Sequence, residues 1–74
     1  MNQKPVVGDR VRVTGYWSGK RINVTGVVQP SPRNKYRPQY QTEKGHWRAI
    51  IRTDGGLDFE IPWTTKIMTF EVLT

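Results

Sequence analysis

The chain has 74 residues, with 12 Lys and Arg against 6 Asp and Glu, one His and no Cys. That length fits one domain with a small core, because so short a chain buries only about 60% of its unfolded surface. The absence of cysteine excludes disulfide staples and a Cys-based zinc site, and no apolar run approaches the roughly 18 residues of a membrane span.

The charge is unevenly placed. Residues 1–52 hold eleven bases and two acids, whereas residues 53–74 hold one base and four acids. A basic pole of this kind suits a polyanionic partner, nucleic acid before a membrane. Plain solvation is the other reading, since a net charge of about 2–8 is ordinary in a small domain. The segment Met1-Asn2-Gln3-Lys4-Pro5 lacks the apolar stretch of a secretory signal, so the expected location is cytoplasmic.

Val, Ile and Thr supply 8, 5 and 8 residues, and Ala with Leu only three. β-Branched side chains lose rotamer freedom in a helix and pack well on a pleated sheet, so the chain is expected to be all-β. A first strand is predicted over about Asp9–Thr14, with Val7, Val11 and Val13 on one face and Arg10, Arg12 and Thr14 on the other. Gly15-Tyr16-Trp17-Ser18-Gly19 reads as a loop bounded by glycines. A second strand, about Ile22–Gln29, places Ile22, Val24, Gly26 and Val28 together, and Gly26 marks a bulge or bend. Residues 30–45 carry three prolines and few aliphatics, and read as one long, exposed basic loop.

The clearest unit is a hairpin. Trp47, Ala49, Ile51 and Thr53 alternate with His46, Arg48, Ile50 and Arg52, and after a turn Leu57, Phe59 and Ile61 alternate with Asp58, Glu60 and Pro62. Matching the two apolar faces requires an odd number of loop residues, which Asp54-Gly55-Gly56 provides. The register then sets Ile51 beside Phe59 and Ala49 beside Ile61 inside, with Arg52 beside Asp58 outside. Trp47 is assigned to core or rim packing and Trp63, in the turn after Pro62, to half exposure. A last strand carries Met68, Phe70 and Val72 on one face. Five short strands point to a single, partly open β-barrel.

Val7-Gly8-Asp9-Arg10-Val11-Arg12-Val13 followed by Thr25-Gly26-Val27-Val28 resembles the opening of KOW and Tudor-like members of the SH3-like barrel group. The second half, in which Trp47 opens a hairpin and Ile61-Pro62 precedes a short turn, is similar to a signalling SH3 domain. The resemblance covers most of the chain outside 30–45 and implies an SH3-like barrel. The Ala-Leu-Tyr-Asp-Tyr segment of signalling SH3 domains is missing, and Thr64-Thr65 stands where they have Asn-Tyr, which argues against proline-rich peptide capture. The Gly8-Asp9-Arg10-Val11-Arg12 run also resembles the opening of the type II dihydrofolate reductases. Their Val-Gln-Ile-Tyr active-site segment is replaced here by Phe59-Glu60-Ile61-Pro62.

No enzyme is expected. His46 has only Glu43 as a near acid in sequence, no serine sits in a Gly-x-Ser-x-Gly elbow, and no glycine-rich segment matches a phosphate loop. No cofactor and no metal are expected either. The candidates are bases interleaved with aromatics, because cations neutralise phosphates and aromatic faces stack on exposed bases. Lys20, Arg21, Arg33, Lys35, Arg37, Lys44 and Arg48 are the candidate phosphate contacts, with Arg48 lacking an evident acidic neighbour. Tyr16, Trp17, Tyr36, Tyr40 and Trp63 are the candidate stacking residues or partner anchors. In SH3-like barrels the first loop and the 30–45 connection lie near each other, so the resemblance implies one groove. The expected partner is nucleic acid, DNA before RNA. The alternative is a protein-interaction module, an adaptor or inhibitor meeting the acidic surface of a larger partner, DNA-binding proteins included, and either fits a homo-oligomer joined through Ile50, Ile67 and Leu73.

Overall fold

The computed structural model describes residues 4–73; Met1, Asn2, Gln3 and Thr74 lie outside the described residues. Six strands follow in chain order: β1 (Arg10–Trp17), β2 (Lys20–Val28), β3 (Tyr40–Gln41), β4 (Trp47–Thr53), β5 (Asp58–Pro62) and β6 (Met68–Val72), with no helix among these residues. They form one antiparallel sheet in the order β3-β4-β2-β1-β6, and β5 lies on the other edge of β4. Among the described residues β5 pairs only with β4 and β6 only with β1, so the curled sheet is a partly open barrel.

The alternation of the sequence sets the core. Val11 and Val13 of β1, Val28 of β2, Ala49 and Ile51 of β4, Ile61 of β5, and Met68 and Phe70 of β6 all point inward and are buried. Burying each large aliphatic is worth about 1.5–3 kcal/mol, which makes this cluster the main source of cohesion. On the outside, Arg10 pairs with Asp54 at 3.0 Å, Arg12 with Glu71 at 3.0 Å and Arg52 with Asp58 at 2.8 Å. These pairs sit in water, which screens them, so they fix little beyond local geometry.

The β4–β5 hairpin has the expected register, with Arg52 opposite Asp58, Ile51 opposite Phe59 and Ala49 opposite Ile61. Gly56 occupies the left-handed position at φ 84°. Gly26 lies in regular register with Val11 and Thr53, and its role is close approach: a β-carbon there would lie 2.2 Å from the Arg52 carbonyl oxygen, so β2 and β4 approach as closely as they do only because the side chain is missing.

Several expectations need correction. Tyr16 and Trp17 are not in a loop: β1 runs on to Trp17, and the turn is only Ser18-Gly19. The strand count is six because Tyr40 and Gln41 pair with Arg48 and Trp47, dividing residues 30–45 into a closed loop and a short hairpin. Nor is the first part of that segment simply exposed. Ser31 and Pro38 are buried, Ser31 N donates to Arg37 O at 2.9 Å, and Asn34 N donates to Ser31 Oγ at 2.9 Å. Phe59 faces the core side but is 43% exposed and Leu57 is 65% exposed, because no strand of the described residues covers the outer edge of β5.

Trp63 departs from its expected half exposure, and Trp47 takes the rim rather than the core. Trp63 is only 5% exposed and packs on Phe70 with ring centroids 4.9 Å apart, whereas Trp47 is 50% exposed. Trp63 N donates to Trp47 O at 3.0 Å, extending the β4–β5 ladder and placing the two side chains on the same face. The chain after Trp63 turns back into β6 and covers it. Trp47 begins its strand at the barrel rim.

Candidate functional site

Segments far apart in sequence meet at that rim. Trp17 ends β1, Trp47 begins β4, and Trp63 follows β5; together with Lys4, His46, Arg48, Pro62, Thr64 and Ile67 they line a cleft of about 480 Å³. A recess of about 200 Å³ continues it, sharing Lys4, Trp47 and Trp63 and adding Gln39. Among the described residues, the lining contains all three tryptophans of the chain, two basic side chains and no carboxylate.

Close packing brings Trp17 there. A β-carbon on Gly15, two residues earlier on the same face, would lie 2.2 Å from the Ile67 carbonyl oxygen, so β1 runs directly against the turn before β6. The β1–β2 hairpin pairs Trp17 with Lys20, which puts Lys20 beside the cleft on the face that Trp17 presents.

Arg48 is held from several sides. Its guanidinium lies 5.0 Å from the centre of the Trp17 ring, Nε is 3.9 Å from Glu60 Oε1, and Nη1 donates to Trp47 O at 3.3 Å. The side chain is only 16% exposed. Arg48 therefore does have an acidic neighbour: Glu60 lies on the same strand face as Asp58, opposite Ile50, and meets Arg48 diagonally across the ladder. The Tyr40 hydroxyl donates to Glu60 Oε2, so β3 fixes the carboxylate that fixes Arg48. Burial, then this hydrogen bond and the Glu60 charge, push the Tyr40 hydroxyl up to about 12, against a smaller opposing effect of Arg48.

On the far side of Arg48 a second depression of about 490 Å³ is lined by Thr42, Glu43, Lys44, His46, Arg48 and Glu60. The 42–46 turn that shapes it is tied by Thr42 N to His46 O at 2.8 Å and by His46 N to Thr42 Oγ1 at 3.1 Å. His46 and Arg48 thus border both depressions.

Of the residues singled out from sequence, the structure gathers Trp17, Trp63 and Arg48 in the cleft, with Lys20 beside it, Lys44 in the second depression beyond Arg48, and Tyr40 as an anchor. Tyr16 and Arg21 pair on the other face of the β1–β2 hairpin. Arg33, Lys35, Tyr36 and Arg37 are exposed on the closed loop outside the cleft lining, with Lys35 Nζ 5.2 Å from the Tyr36 ring centre. Sequence reasoning missed Lys4, His46 and Trp47. Extending the hairpin register by one pair sets Trp47 opposite Trp63 and would have found it; nothing local marks Lys4.

Charge is partitioned in a second way. Arg10 and Arg12 of β1 and Arg48 and Arg52 of β4 take four of the six acids. The remaining eight cations, Lys4, Lys20, Arg21, Arg33, Lys35, Arg37, Lys44 and Lys66, have no ion pair among the described residues. The whole net charge of +6 therefore resides on those cations against Asp9 and Glu43. No helix of the described residues is long and apolar enough to cross a membrane. Comparison with protein-family models, with curated proteins and with solved structures finds no match.

Proposed function

We propose that this protein is an SH3-like barrel that binds nucleic acid, chiefly through backbone phosphates. The observation that carries the reading is the division of its cations: the arginines of β1 and β4 are neutralised internally, and eight others are left for an external polyanion. The SH3-like assignment draws on the Gly8-Asp9-Arg10-Val11-Arg12 opening and on the partly open barrel. Lys20, Arg21, Arg33, Lys35, Arg37 and Lys44 make the phosphate contacts, and the role is binding without a reaction. Fluorescence anisotropy against labelled duplex DNA, single-stranded DNA and RNA at about 50 and 200 mM salt tests it, since each neutralised duplex phosphate adds roughly 0.9 to the salt slope. Micromolar binding that weakens steeply with salt is expected. Replacing Arg33, Lys35 and Arg37 together by Ala should lower the slope by about 2–3. Absence of binding at the lower salt overturns the proposal.

One observation favours a second reading, a module for a protein partner. Leu57 and Phe59 are apolar, exposed and adjacent to the outer edge of β5, unpaired among the described residues. Binding to a protein that survives nuclease treatment and high salt would support that reading against the first.

A further inference from the structure

The tryptophan cleft adds strandedness to this picture. We propose that it receives one unstacked base of a single-stranded nucleic acid, stacked on Trp47, with a flanking phosphate held by Lys4. The inference rests on the nucleic-acid reading and deepens it.

The three tryptophans are not equivalent. Trp63 is 5% exposed with Phe70 against it, so it forms the floor. Trp17 already carries the Arg48 guanidinium over its ring at 5.0 Å. Trp47 is 50% exposed, and its open ring is the aromatic surface available to a ligand. A surface tryptophan beside the unpaired Lys4 matches a base with its phosphate, because every base has a π-face and every linkage a negative charge.

Charge and shape narrow the occupant further. With Lys4 and Arg48 in the lining and no carboxylate there among the described residues, a cationic ligand such as a methylated lysine is disfavoured, since aromatic cages act by attracting positive charge. The volume of about 480 Å³ falls within the range of small-ligand pockets and holds one nucleotide. A duplex keeps its bases paired and stacked, so it cannot offer one to Trp47 without an unstacking cost of a few kcal/mol. The Tyr40–Glu60–Arg48 chain fixes the guanidinium over Trp17, so that wall of the cleft is in place before the ligand arrives, which lowers the ordering cost of binding.

The test uses the whole chain and an oligothymidylate of about 10 nucleotides, within the ~4–16-nucleotide range that single small barrels cover. Anisotropy gives affinity for that strand and for a duplex of the same length, and tryptophan emission reports stacking. The proposal expects tighter binding of the single strand, quenched emission, and a loss of about ten-fold in affinity for Trp47→Ala, with Trp47→Phe retaining most of it. Thermal melting confirms that both variants are folded. Equal binding of strand and duplex, without quenching and without an effect of Trp47→Ala, overturns this inference and leaves the phosphate reading standing. Failure of both nucleic acids to bind removes both. Quenching by a proline-rich peptide and not by the oligonucleotide overturns the base as occupant.

Discussion

At its turn end, the β4–β5 hairpin is held by neighbours in sequence. Gly56 takes the left-handed position, Thr53 N donates to Leu57 O at 2.8 Å, and Arg52 meets Asp58 at 2.8 Å. At its rim end, the same two strands depend on distant segments: Tyr40 from β3, Trp17 from β1, Phe70 from β6 and Lys4 before the first strand. The turn end is stabilised by short-range chemistry that any isolated hairpin could use. The rim is a tertiary product, and the candidate site is there.

The largest expected effects separate the two rim tryptophans. Trp63→Ala should cost about 3–5 kcal/mol, the usual range for removing a buried aromatic, and in a domain this small should leave the chain largely unfolded. Trp47→Ala should shift the urea midpoint little, since surface changes usually stay within about 0.5 kcal/mol. Equal destabilisation by both would mean that Trp47 belongs to the core and that the rim has no free aromatic surface.

The glycines allow a second comparison between buried crossing and open turn. Gly26→Ala would drive a β-carbon to 2.2 Å from the backbone oxygen of Arg52, which cannot rotate away, and overpacking of this kind costs about 1–3 kcal/mol. Gly55→Ala, in the turn, meets nothing nearer than Thr53 Oγ1 at 3.9 Å and should be close to neutral. Chemical denaturation of both variants measures the difference.

These two ends also explain what was legible in the sequence. Period-two alternation and the Asp54-Gly55-Gly56 turn determine which residues of β4 face which residues of β5, so the register and the Arg52–Asp58 pair could be read directly. Alternation specifies a face, however, and exposure depends on what lies over that face. Phe59 and Trp47 have the inward parity of Ile51 yet are exposed, one beside the outer edge of β5 and the other at a strand end. Trp63, placed in a turn, is buried because β6 returns over it. Arg48 was legible as a base on β4 but not as the partner of Trp17, a contact made across 31 positions of sequence. β3 went unseen because two residues carry too little periodicity to register as a strand.

Tyr40 offers a smaller effect with a definite sign. Its hydroxyl is raised to about 12, so the folded state holds that proton more tightly than the unfolded chain, whose tyrosine titrates near about 10. The associated stability is fully present below pH 10 and is lost as pH rises from about 10 through about 12. Ultraviolet titration should show a tyrosinate step near pH 12 that Tyr40→Phe abolishes. The same variant should cost about 0.5–1.5 kcal/mol at neutral pH through the lost hydrogen bond to Glu60. Its consequence for the rim is a looser Arg48, seen as weaker oligonucleotide binding in Tyr40→Phe than in the parent chain.

The smallest expected effect lies at the tip of the β1–β2 hairpin, which carries Trp17 and Lys20 to the rim. Ser18 and Gly19 have φ of 52° and 75°, positive at both central positions as a type I′ turn demands. Glycine accepts such an angle freely, whereas serine is held there at some cost and asparagine tolerates it better. Ser18→Asn should therefore raise the melting temperature by a degree or two, equivalent to a few tenths of a kcal/mol in a domain of this size. Ser18→Pro should do the reverse, because proline fixes φ near about −65° and the turn cannot form around it. If the tip positions Trp17 for Arg48, Ser18→Pro will weaken oligonucleotide binding by more than its loss of stability explains, and Ser18→Asn will leave binding as it was. Unchanged affinity in the proline variant would instead show that Trp17 is placed by its packing on the core alone, with the turn a passive connection.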